Sequence, residues 1–137
     1  MRIIVLALIV GGVIGCCFLC SREKTVELVP TQRKDAELIL KNLAVGMRMY
    51  STITGGGGDS KFTGDMTKIQ PYVMKDAFAA CYEKTPYHGF IVELAEYPTG
   101  DNYKTNFRFI AKPGSGYTGE AYAIDKTEET IPLNNKD

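Results

Sequence analysis

The chain has no tryptophan, one histidine (His88) and four cysteines, three of which fall within its first twenty residues. Only Cys81 lies beyond them, which excludes a disulfide framework or a paired Cys/His metal motif from the remainder of the chain. A solitary Cys81 reads as a small buried apolar side chain. Charge of one sign is missing as well. Lys and Arg number 16 and Asp and Glu number 16, so no net field draws the protein toward nucleic acid or another polyanion.

Long hydrophobic runs are equally scarce, and the single one, Ile3 to Cys20, opens the chain behind Arg2. As a helix its 18 residues would extend roughly 27 Å, just short of a hydrocarbon core. Its end is rich in small residues, Gly11, Gly12, Gly15 and Cys16, as a signal peptidase requires. Val13-Ile14-Gly15-Cys16 resembles the lipobox of bacterial lipoproteins, which implies cleavage before Cys16 and lipidation of that residue. An uncleaved membrane anchor and an ordinary secretory signal are the alternatives. Arg22, Lys24, Arg33 and Lys34 follow the run, and an uncleaved span with that asymmetry would leave the domain on the cytoplasmic side. Cleavage at Cys16 removes the conflict, and the expectation is a lipoprotein of the bacterial envelope with its domain in the periplasm or at the cell surface.

Residues 1–20 are therefore read as a signal or anchor, 21–31 as a polar tether ending near Pro30, and 32–137 as a single domain. Thr31 can cap a helix, and from Asp35 to Tyr50 the residues Ala36, Leu40, Leu43, Ala44, Met47 and Tyr50 recur at intervals of three and four. Four glycines, 55–58, end that pattern in a loop. Phe62, Met66, Ile69 and Tyr72 predict a short helical turn interrupted at Pro71, and a second short helix is expected through Phe78 and Cys81. Beyond Pro86 the period falls to two. Phe90, Val92 and Leu94 share one strand face, Phe107, Phe109 and Ala111 another, and Tyr122 and Ile124 a third, with Thr130-Ile131 as a last short strand. The fold class is α+β, an N-terminal amphipathic helix packed on a three- to four-stranded antiparallel meander.

The order of these elements, together with Gly89-Phe90, Ala111-Lys112-Pro113, Gly116-Tyr117-Thr118-Gly119 and Ile124-Asp125, resembles the globular head of type IV pilin-like and pseudopilin-like proteins over about residues 35–131. The resemblance implies a non-enzymatic, structural or accessory component of a filament or of a type II secretion apparatus. A monomeric lipoprotein that binds one protein partner or ligand is the alternative.

Chemistry-bearing motifs are few. Residues 114–119, GSGYTG, fit the spacing of a dinucleotide fingerprint, but EAYAID after them alternates as a strand, where a phosphate site needs a helix. Residues 55–61, GGGGDSK, lack the Lys-Ser/Thr ending of a phosphate loop, and Asp59 and Asp65 offer only a weak calcium site. His88 reads as a solvated residue at a strand start, with Ser115 placed at the opposite hairpin end. No cofactor and no catalytic group is expected. The partner expectations are a membrane, through the amino-terminal segment, and protein contact or self-assembly, with Tyr87, Tyr97, Tyr103 and Tyr117 as candidate contact residues because amphipathic rings at turns and strand ends favour interfaces.

Overall fold

The computed structural model describes residues 24–54, 62–96 and 107–133. The lipobox with Cys16, the glycine run with Asp59, and the candidate contacts Tyr97 and Tyr103 lie outside the described residues.

In chain order the elements are β1 (Val26–Glu27), α1 (Pro30–Thr54), two 3-10 turns (Met66–Lys68 and Gln70–Tyr72), α2 (Lys75–Cys81), β2 (Phe90–Glu96), β3 (Arg108–Pro113), β4 (Tyr117–Thr118), β5 (Ala121–Asp125) and β6 (Thr130–Leu133). The protein is α+β. The long helix lies against a four-stranded antiparallel sheet in the order β2-β3-β5-β6.

Helix α1 begins earlier than Asp35, and Thr31 is not its cap. The Arg33 N–H donates to the Val29 carbonyl at 3.3 Å, which puts Val29 at the cap position and Pro30 first in the helix. Proline fits there because its fixed φ suits the first turn and its missing N–H would have gone unbonded. Val29 has no side-chain oxygen to offer, so the reverse half of a capping box serves instead: Gln32 Oε1 accepts from the Val29 N–H at 2.9 Å. Twenty-five residues then run without a break for about 37 Å.

The inward face of α1 carries Ala36, Ile39, Leu40, Leu43, Ala44 and Met47, all buried. They meet Phe90, Val92, Leu94, Phe107, Phe109, Ala111, Tyr122 and Ile124 from the sheet, the alternating residues the two-residue period singles out. Phe78, Ala80 and Cys81 of α2 and Ile69 from the 3-10 segment complete the same core. Register is continuous from Phe90↔Pro113 to Leu94↔Phe109, then shifts so that Glu96 pairs with Arg108, leaving Ala95 as the extra residue of a bulge. Pro71 stands within the second 3-10 turn, where the tighter winding tolerates it.

The stretch expected as a polar tether is in part docked. Val26 and Glu27 pair in parallel with Tyr117 and Thr118, through Val26 N–H to the Gly116 carbonyl at 2.8 Å and Leu28 N–H to the Thr118 carbonyl at 2.9 Å. Leu28 is the reason. It is 2% exposed, and its seat exists because Gly89 and Gly119 lack side chains: a Cβ on Gly89 would stand 2.7 Å from Leu28 Cδ2, and one on Gly119 3.3 Å from Cδ1. Both glycines also have positive φ, which a side chain resists.

Candidate functional site

Two of the four tyrosines named from sequence are described, and they come together. Tyr87 and Tyr117 flank Gly89 near the start of α1. Tyr117, on β4, lies 3.1 Å from where a Gly89 Cβ would be, and Tyr87 stacks on His88 with ring centroids 4.2 Å apart and planes 9° from parallel. Tyr87 is half-buried and joins the core edge, whereas Tyr117 is exposed. Burial, with the Asp35 and Asp76 carboxylates adding to it, raises the Tyr87 phenol above its ordinary value.

His88 is exposed but not merely solvated. Its backbone takes φ +47°, its carbonyl accepts from Gln32 Nε2 at 3.0 Å, and its Nδ1 meets Asp35 Oδ2 at 2.5 Å. One glutamine thus caps α1 with its oxygen and ties the start of β2 with its nitrogen. Ser115 does not stand at the opposite end: the Gly114 N–H donates to the Gly89 carbonyl at 2.8 Å, so the 114–116 turn lies beside His88-Gly89. The sequence reading placed it wrongly because β3 runs antiparallel to β2 in a register that pairs Pro113 with Phe90. His88 is bonded to Asp35, and no hydrogen bond joins Ser115 to His88 among the described residues, so the three form no relay.

On the other side of α2, Gly64, Asp65, Met66, Cys81, Tyr82, Lys84 and Leu94 line a hollow of about 220 Å³. Asp65 is committed within it. Its Oδ1 accepts from both the Thr67 N–H at 3.0 Å and the Thr67 hydroxyl at 2.6 Å, and these bonds hold the carboxyl below its ordinary range. Burial pushes the Cys81 thiol up to about 11, which keeps it protonated and unreactive at neutral pH. No group of three metal-ligating side chains occurs among the described residues.

Sequence reasoning missed the outward face of α1. Leu38, Val45, Met49 and Ile53 are between 44% and 60% exposed and follow one another at seven, four and four residues, the spacing of a single stripe. Beside the stripe, Val45, Arg48, Met49, Thr52, Ile53 and Glu128 line a shallow groove of about 290 Å³. Arg48 borders it, with Nε 2.8 Å from Glu128 and a guanidinium N–H donating to the Lys126 carbonyl at 2.7 Å. The signal is present in the sequence, since the helix carries apolar residues on both sides, Leu38, Val45, Met49 and Ile53 outward and Leu40, Leu43 and Met47 inward. On the sheet face turned away from α1, Ile110 pairs across to Ala123 and Ala123 to Ile131; Ala123 is buried, Ile110 half-buried and Ile131 half exposed.

No protein-family model, curated protein or solved structure matches this chain.

Proposed function

We propose that this protein is a non-enzymatic, envelope-anchored subunit with a pilin-like head, serving as a structural or accessory component of a filament or secretion apparatus. The observation that carries the reading is the combination of an uninterrupted 25-residue helix on an antiparallel meander with Ile131 left half exposed on the sheet face turned away from that helix. Antiparallel sheets with one face free commonly turn polar side chains to water. Here Glu93, Ile110, Ala123 and Ile131 form one cross-strand row in which Ala123 is buried, Ile110 half-buried and Ile131 half exposed, bordered by the Lys112–Glu93 ion pair at 2.9 Å. Such a row is a contact surface in a protein whose other chemistry is committed to holding its own turns.

A photo-reactive side chain placed at Ile131 in the full chain, irradiated in membranes of the native host, tests this. A ladder at multiples of the subunit mass, or one adduct with a protein of an envelope assembly, is the expected result. The absence of any adduct from Ile131, with the protein folded and present, overturns it. Engineered cysteines at Leu40 or Met47 would be poor probes of assembly, because both side chains are fully buried.

The second reading, a monomeric binding module, is favoured by the Tyr87–His88–Tyr117 grouping, which sets exposed aromatic and imidazole surface at one end of the domain. A single adduct from Tyr117 and none from Ile131 would select it.

A further inference from the structure

We infer that the outward face of α1 rests on an anionic lipid surface, its apolar stripe entering the boundary between headgroups and acyl chains and Lys34 and Lys41 meeting lipid phosphates. The balanced charge of the whole chain hides a local segregation. From Leu38 to Thr54 there is no Asp or Glu, although the chain holds 16 acidic residues, and the only charges in that stretch are Lys41 and Arg48. Lys34, Lys41 and Arg48 recur every seven residues and so follow one flank of the stripe. Arg48 is engaged by Glu128, whereas Lys34 and Lys41 make no ion pair among the described residues. Three acids border the stripe: Asp35 is held by His88, Glu128 by Arg48, and Glu37, half-buried, stands between Lys34 and Lys41.

The stripe itself, Leu38 to Ile53, spans about 22 Å along the helix, opposite the buried Leu40, Leu43 and Met47. A helix apolar on its outward side with cations along one flank has the chemistry of an interfacial helix. Placement agrees. The uncharged run Ile3–Cys20 ends six residues before Val26, a reach of about 20 Å at full extension, and Val26 is already paired to β4. The domain is thus held close to whatever surface that run enters, and this part of the inference rests on the anchoring reading. A second copy is a worse occupant, since it would bring its own Lys34 and Lys41 to this face while its Asp35 and Glu128 are already engaged by His88 and Arg48.

The test uses the full-length protein reconstituted into vesicles of phosphatidylcholine alone or with phosphatidylglycerol added, followed by flotation and brief oxidation. Met49 and Met74 are 44% and 43% exposed, so they form a matched pair, while Met47 is buried. With phosphatidylglycerol present, Met49 is expected to oxidise several-fold more slowly than Met74, and the Lys34→Glu, Lys41→Glu double variant to lose that protection, each lysine contributing about five-fold in binding. Equal oxidation of Met49 on both vesicles overturns the proposal and leaves the anchor standing if the protein still floats. Flotation with phosphatidylglycerol alone, with Met49 protected, supports the helix face and removes the anchor. Failure to float on either vesicle overturns both. Protection that ignores lipid charge and grows with protein density assigns the face to a second copy instead.

Discussion

The two faces of α1 are both apolar, yet one is enclosed and the other bare. Leu43 is fully buried against the sheet aromatics, whereas Val45, two residues on, is 44% exposed beside a groove. The residue type is nearly the same and the environment decides its role: the inward row holds the fold together, and the outward row is available to something outside it. Leu43→Ala, which removes the packing of a fully buried side chain, is expected to cost about 3 kcal/mol in urea unfolding. Val45→Ala should stay within about 0.5 kcal/mol. Comparable losses from both would mean that the outward stripe is itself enclosed in the folded chain, and the comparison would collapse.

Cys81 sharpens the same contrast through protons. Burial raises its thiol from 9.0 to about 11, so the folded form keeps a proton that the unfolded chain loses first. The stability linked to this group is complete below pH 9 and is lost as pH rises toward about 11, an effect on the order of 3 kcal/mol. Tyrosines and lysines titrate in the same window, so the quantity to read is the difference between the native chain and Cys81→Ala. That difference should narrow as pH rises from about 9 to about 11, the span of the shift. A constant difference would mean that the thiol is open to solvent in the folded state.

Much of the architecture was legible because each element has its own period. Leu40, Leu43 and Met47 announced the helix, Phe90, Val92 and Leu94 the first long strand, and both patterns fall on the inward faces the structure shows. What escaped depended on single residues acting at a distance. Leu28 docks the supposed tether through two glycines 61 and 91 positions away, and no local period marks that contact. Gln32 moves the helix start to Pro30 by capping Val29, a role that the more familiar Thr31 pattern obscured. The meeting of Tyr87, His88 and Tyr117 was half visible: their clustering at strand ends could be read, but their convergence on Gly89 required the register of β2 against β3 and the parallel β1–β4 pair.

The smallest expected effect lies at the carboxyl end of α1, where adjacent hydroxyls fall on opposite faces. Ser51 is 3% exposed and its Oγ has no hydrogen-bond partner among the described residues, whereas Thr52 is exposed and donates to the Arg48 carbonyl at 2.9 Å. A buried hydroxyl without a partner carries its full desolvation cost, while an exposed one loses little. Both Ser51→Ala and Thr52→Ala gain the same few tenths of a kcal/mol of helix propensity. The difference between them therefore isolates burial, and Ser51→Ala should be the more stabilising by about 1 kcal/mol, or roughly 4 °C in Tm. If the two variants matched, the Ser51 hydroxyl would have to be satisfied by water or by a shifted backbone carbonyl. The inward face would then be wetter near Thr54 than its aromatic centre.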